Sequence, residues 1–217
     1  MTLIAGIDDA GRGPVIGPLV IAGVLLYHYQ VPQLQVLGVK DSKTLTPKKR
    51  TILSKEIMRL AKYTWVELSP SEIDTIVLNG KKLRKLNWLE AKAMAEVIEK
   101  LKPEVAYVDA SDVNEARFAQ QIEEFLSVRT RIICEHHADA TYPIVSAASI
   151  IAKVHRDEAI SELRSKYGDF GSGYSSDPKT RKFLSNWLKE KKSLPDFVRK
   201  SWKTINQLKD EVRQQTL

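Results

Sequence analysis

The run VIGPLVIAGVLLY, Val15 to Tyr27, carries no charged side chain and is rich in β-branched residues. A strand built from it has no solvated face, so it must be covered on both sides. LIAGID, ahead of it, is a shorter apolar run that suits a buried strand. KYTWVELS (Lys62 to Ser69) alternates and predicts a third strand; EVAYVDA (Glu104 to Ala110) and RTRIICEH (Arg129 to His136) predict a fourth and fifth. Helix signals fall between and after these runs. Thr46-Pro47 is an N-cap with proline at the first helical position, Ser69 and Glu72 form a capping box, and Gly80 stops that helix. Asn87 opens a helix with apolar Trp88, Ala91, Ala95, Ile98 and Leu101. Further helices are predicted over Asn114–Leu126, Ser146–Tyr167, from Asp177-Pro178 through Leu188, and over 203–214. The order predicts an α/β protein: a mixed five-stranded sheet flanked by helices, with a C-terminal helical appendage. The Gly- and Ser-rich stretch Lys166 to Pro178 marks the join, giving a body over 1–168 and an appendage over 169–217.

With 217 residues, 43% of them hydrophobic, the chain can bury a core, which excludes disorder. It has no apolar run of membrane-spanning length and no secretory pattern in MTLIAGID, and its single cysteine, Cys134, permits no internal disulfide. A cytoplasmic protein is expected. The net charge of +7 is uneven: residues 153–217 hold 15 basic and 9 acidic residues, against 19 and 18 in 1–152. A basic region behind a near-neutral body suits a polyanion, most simply nucleic acid, and equally a solvated helical face.

Four acids end, or closely follow, apolar strands: Asp8, Asp9, Asp109 and Asp139. Strand ends at one edge of an α/β sheet are where ligand sites collect. Clustered carboxylates repel, and a hard cation such as Mg²⁺ relieves the repulsion; two ions about 3.5–4 Å apart can serve phosphodiester hydrolysis. Asp112 and Asp177 read instead as caps, and Asp109 is open to that reading too. The glycines of Gly11-Arg12-Gly13 let the backbone leave the pleat and approach a ligand. Arg12 offers donors to phosphate, and the backbone N–H groups can read a ribose 2′-hydroxyl.

GIDDAGRGPVIGPLV, KDSKTLT, YVDASDV, HHADATYPIVSAASIIAKVHRD, GSGYSSDPKT and VRKSWKT, in this order, resemble type 2 ribonuclease H from Gly6 to Thr204. The short form is most similar to archaeal members. The resemblance implies a ribonuclease H-like fold and an endonuclease that cuts the RNA strand of RNA–DNA hybrids with Mg²⁺ or Mn²⁺, two ions with substrate bound. It implies 5′-phosphate and 3′-hydroxyl ends, and incision at ribonucleotides embedded in duplex DNA. Carried over by position, Asp8, Asp9, Asp109 and Asp139 are the catalytic and metal-binding acids. Gly11, Arg12 and Gly13 read the 2′-hydroxyl, and Tyr174 stacks on the deoxyribose after the junction. Lys43, Ser149, Lys153, Lys200 and Lys203 fall in motifs that touch the nucleic-acid backbone. Four positions depart from the family pattern: Asp9 stands where Glu is usual, Ser175 where Pro, Ser201 where Gly and His137 where Lys is common. The end, QQTL, carries half of the sliding-clamp motif of some archaeal members, so clamp binding is not expected from it; a monomer is.

CEHHAD lacks a second ligand pair for zinc, and Cys134 suits strand packing. His136 or His137 can serve a proton near Asp139 or simply face solvent. Trp65, Trp88 and Trp187 are expected in the core, and Trp202 under the basic face. Two other functions compete: a related nuclease of the same fold, such as a junction resolvase, and a non-catalytic hybrid-binding protein. The Gly11–Gly13 turn with Tyr174 disfavours the first; four retained acids disfavour the second.

Overall fold

The computed structural model describes residues 1–39, 45–79 and 85–214. They form two compact units. The first comprises Met1–Ala10, Val20–Glu67 and Leu86–His155; the second comprises Gly11–Leu19, Leu68–Lys85 and Arg156–Leu217.

The first unit is built on a five-stranded sheet: β1 (Leu3–Ala10), β2 (Leu19–Tyr27), β3 (Lys62–Leu68), β4 (Val105–Asp109) and β5 (Arg131–Glu135). The order is β3-β2-β1-β4-β5, so β1 is central. It pairs antiparallel with β2 and parallel with β4, and β4 pairs parallel with β5. The sheet is therefore mixed, as the run order predicts. Burial along β2 is continuous from Leu19 to Leu26, which explains its unbroken apolar sequence. Helices α1 (Val31–Val36), α2 (Pro47–Leu60), α4 (Lys85–Leu101), α5 (Glu115–Glu123) and α6 (Ala138–Thr141) accompany these strands, and α3 (Pro70–Asn79) lies in the second unit. The long α7 (Pro143–Tyr167) contributes residues to both. Its first turn lies directly on β1: a Cβ at Gly6 would sit 2.2 Å from the Ile144 carbonyl oxygen, so only glycine permits the approach.

The second unit packs the later turns of α7 with α8 (Pro178–Lys191) and α9 (Lys203–Gln214). Its core includes Val15, Ile16, Phe170, Leu184, Phe197 and Val198. Among the described residues no helix is long and apolar enough to cross a membrane.

Local signals hold where their partners are local. The Thr46, Asn114 and Asp177 side chains accept from Lys49, Arg117 and Lys179 N–H groups, and Ser69 and Glu72 cap reciprocally. Other expectations shift. β2 begins at Leu19 rather than Val15, because Gly17 (φ 90°) and Pro18 break the extended chain; Val15 and Ile16 join the second core, with Ile16 bridging Val198. Asn87 lies inside α4 and donates to Asp112 Oδ2 at 2.8 Å instead of capping the helix. α7 starts at Pro143, ahead of Ser146. The predicted stop at Gly80 lies outside the described residues. Trp65 is an exception to the expected core: it is 37% exposed and stacks on the His155 ring at 3.8 Å.

Candidate active site

In the first unit, Asp8, Asp9 and Asp109 come within reach of one another's charges where β1 and β4 end, and Asp139 follows β5. Asp8 and Asp9 lie just before Ala10, the last residue of β1, Asp109 is the last residue of β4, and Asp139 lies in α6 just beyond β5. Asp8 is only 4% exposed. Burial raises its carboxyl well above the usual carboxylate range, and the charges of Asp9 and Asp109 raise it further. Hydrogen bonds from the Ser149 side chain and the Asp9 amide, the latter at 2.7 Å, oppose the rise. Asp9 accepts from Ser111 Oγ, in the loop after β4, at 3.4 Å. The neighbours thus divide their engagements, Asp8 with Ser149 of α7 and Asp9 with the β4 loop. The Asp109 carboxylate accepts from the Ala138 amide at 2.8 Å, which ties α6 to the end of β4. Asp139, the next residue, is 5% exposed.

Ser149 is fully buried. Its hydroxyl serves Asp8 and accepts from Lys153 Nζ at 2.7 Å, one helical turn away. It has no surface of its own to offer a ligand.

The donor set is all carboxylate, and Asp8 is strained electrostatically by its neighbours, so the residues fit a hard divalent cation by chemistry. Among the described residues, no group of three or more His, Cys, Asp or Glu side chains is already disposed as a metal cage. Such a site needs further oxygens from water or substrate phosphate to complete a shell, which is normal for Mg²⁺.

The neighbouring polar residues have structural work. Asp112 is buried and accepts from Arg117, Asn87 and the Asn114 amide. Cys134 lies in β5, its thiol pushed up to about 12 chiefly by burial and then by surrounding carboxylates, so it stays protonated. The His136 amide donates to Glu115, and His137 takes a left-handed conformation at the start of α6.

In the second unit, the Gly11–Gly13 turn meets Tyr174. Gly11 has φ +93°, and a Cβ there would sit 2.6 Å from Arg156 Cδ and Nε. A Cβ on Gly13 would lie 3.3 Å from Tyr174 Cε1. The tyrosine is 45% exposed on a loop held at both sides. Gly173 O accepts from the Val15 and Ile16 amides, and its N–H donates to Thr180 Oγ1 at 3.0 Å. Asp177 accepts from the Ser172 amide, a bond that, with others at this cap, pulls its carboxyl down to about 2. Arg12, between the glycines, is partly exposed.

Sequence reasoning missed Arg199. It is fully buried, and its guanidinium donates to Gly17 O at 3.1 Å, Arg12 O at 2.7 Å and Gly11 O at 2.5 Å. Its only signal in the sequence is its place in VRKSWKT, beside Lys200 and Lys203. Lys200 gives its amide to Asp74 and its Nζ to Asp196 at 2.9 Å. Lys203 is the exposed first residue of α9. Trp202 donates from Nε1 to Gly13 O at 3.2 Å. Lys43 lies outside the described residues.

A family model described as Ribonuclease HII matches residues 5–205. A ribonuclease HII of Methanosarcina barkeri is 49% identical, over 97% of this chain and 97% of that protein. The crystal structure of ribonuclease H2 from Pyrococcus horikoshii OT3 matches with a TM-score of 0.89 and 42% identity, covering 98% of this chain and 99% of that one. The structure of a PCNA:RNase HII complex from Archaeoglobus fulgidus matches with a TM-score of 0.84 and 44% identity, covering 94% and 96%.

Proposed function

The chain belongs to the ribonuclease HII family, and we propose that Asp8, Asp9, Asp109 and Asp139 are the carboxylates with which it cuts the RNA strand of RNA–DNA hybrids. It is an endoribonuclease of the hybrid-cleaving class. The observation that carries the assignment of residues is Asp8: buried, beside the like charges of Asp9 and Asp109, and hydrogen-bonded by Ser149, so that a cation would relieve its ionised form.

The four acids would hold two Mg²⁺ or Mn²⁺ ions with substrate bound, which would supply Lewis-acid stabilisation of the scissile phosphate and an acidified water. The protein's own residues do the rest. Ser149, backed by Lys153, holds the Asp8 carboxylate and favours its charged form. The amides of the Gly11–Gly13 turn read the ribose 2′-hydroxyl, which DNA lacks. Tyr174, partly exposed against Gly13, offers its face to the sugar after the junction. Arg12, Lys200 and Lys203 take phosphates, as does Lys43. In this reading residues 1–168 cut, the basic 169–217 hold the duplex, and the products carry 5′-phosphate and 3′-hydroxyl ends. Incision at single ribonucleotides embedded in DNA uses the same residues. The protein acts as a monomer in the cytoplasm. Clamp binding is not part of this reading; the last residues, 215–217, lie outside the described ones.

The test is a duplex with one embedded ribonucleotide, alongside a long hybrid, incubated with Mg²⁺, Mn²⁺ or EDTA. Metal-dependent cutting of the RNA strand and next to the ribonucleotide supports the proposal. Cutting of branched DNA in preference, or binding without cutting, would replace it by a resolvase or a non-catalytic binder.

A further inference from the structure

We infer that Arg199 and Trp202 are positioning residues for the Gly11–Gly13 turn: Arg199 holds the Gly11 and Arg12 carbonyl oxygens so that the Arg12 and Gly13 amides face a ribose, and Trp202 anchors the turn's exit at Gly13 O. The inference rests on the ribose-reading role proposed above for that turn.

The argument begins with peptide geometry. In a trans peptide the C=O and the following N–H point in opposite directions within one plane. Fixing a carbonyl therefore fixes where the next amide points. Arg199 Nη2 holds Gly11 O and Nη1 holds Arg12 O, so the Arg12 and Gly13 amides are directed away from the guanidinium. Trp202 Nε1 holds Gly13 O on the peptide leading into Pro14, which has no N–H of its own. The two side chains are themselves stacked, the guanidinium carbon lying 5.0 Å from the indole centroid. The Arg199 amide donates to Val15 O at 2.8 Å and its Nε to Gly17 O, so the clamp also grips the chain beyond the turn.

The choice of arginine follows. One planar group with a fixed fork of donors can satisfy several carbonyls at once, which lysine cannot. A flexible Gly-x-Gly segment is costly to order. Ordering it through a fully buried group removes that cost from the binding step, which is how preorganisation strengthens recognition. Arg199 touches no ligand in this scheme; it acts through the backbone of Gly11, Arg12 and Gly13.

A residue that merely supported the fold would lower the fraction of active protein and leave selectivity alone. The deciding quantity is therefore the ratio of dissociation constants for an all-DNA duplex and the same duplex with one ribonucleotide. Fluorescence anisotropy in EDTA measures it on uncut substrate, in the wild type, Arg199→Lys and Trp202→Phe. Trp202→Phe removes the indole donor and leaves a smaller aromatic ring beside Arg199. Its ratio should fall about three- to tenfold, the worth of one hydrogen bond, with the all-DNA affinity unchanged. Arg199→Lys, which retains the charge and loses the fork, should fall further. If Arg199→Lys does not fold, Trp202→Phe decides alone. An unchanged ratio in folded variants, even with a lowered melting temperature, would overturn the inference and leave the turn's role standing. A wild type that shows no preference for the ribonucleotide would overturn that role itself, and the inference with it.

Discussion

The ammonium of Lys153 stands 2.7 Å from the hydroxyl of Ser149, and that hydroxyl hydrogen-bonds the Asp8 carboxyl. The bond favours the charged form of Asp8, against burial and the charges of Asp9 and Asp109. Ser149→Ala removes it, so the carboxyl should rise further and ionise only at higher pH. The acid limb of the pH–rate profile on a long hybrid should move to higher pH, with the loss largest in acid and smallest on the alkaline side. A uniform fall at every pH would show that Ser149 does not act through Asp8.

Burial of Asp8 has a consequence for stability. Its carboxyl is raised in the folded protein above the unfolded value of about 3.9. The sign is then fixed: below the unfolded value its proton is held in both states, and as pH rises through the folded value the ionised group weighs against folding. Asp8→Asn should therefore melt at a higher temperature than the wild type at pH 8 in EDTA. The gain should vanish near pH 3, and cutting should be lost. Melting curves at both pH values, with a cleavage assay, check this; a lower melting temperature at pH 8 would contradict it.

Asp9 reaches Ser111 only at 3.4 Å. A glutamate extends about 1.3 Å further, from ordinary carbon–carbon geometry, and a misplacement near 1 Å can cost on the order of 10²-fold in rate. Asp9→Glu should raise the rate with Mg²⁺ relative to Mn²⁺, because the smaller ion demands closer ligands. Asp9→Ala should lose most activity with either. Initial rates with each metal decide; an inactive Asp9→Glu would mean that the site is built around the shorter acid.

Tyr174 and Gly13 should behave as one device. Tyr174→Ala removes a stacking face worth roughly 1–3 kcal/mol, by analogy with base–aromatic stacking. The loss in kcat/KM should be larger on a single embedded ribonucleotide than on a long hybrid. Gly13→Ala places a methyl 3.3 Å from Tyr174 Cε1 and should reproduce part of the same selective loss. Because the two touch, the double variant should lose less than the product of the single losses. Multiplicative losses would separate them.

Much of this protein was legible in its residues because the physics involved is short-range. The unbroken run before Tyr27 demands a doubly covered strand, whatever covers it. The Thr46, Ser69, Asn114 and Asp177 caps close on amides two or three residues away. The acids at the ends of apolar runs, and their resemblance to a known family, pointed to a nuclease before any distance was known.

What tertiary structure decided is which way a polar side chain turns once distant chain arrives. Asn87 has the sequence of a cap, yet Asp112 captures it from 25 residues away. By resemblance Ser149 and Lys153 fall in a motif that touches the nucleic-acid backbone; the packing of α7 on β1 buries Ser149 beside Asp8. Val15 and Ile16 continue an apolar run but leave the strand, because Phe170, Phe197 and Val198 offer them a second core. Arg199 is the extreme case. A lone arginine between a valine and a lysine looks like one more surface cation, and its three acceptors lie 182, 187 and 188 residues earlier in the chain. Charge, size and hydrogen-bonding capacity belong to the residue. Burial and partner depend on which parts of the chain meet, and no local pattern encodes that meeting.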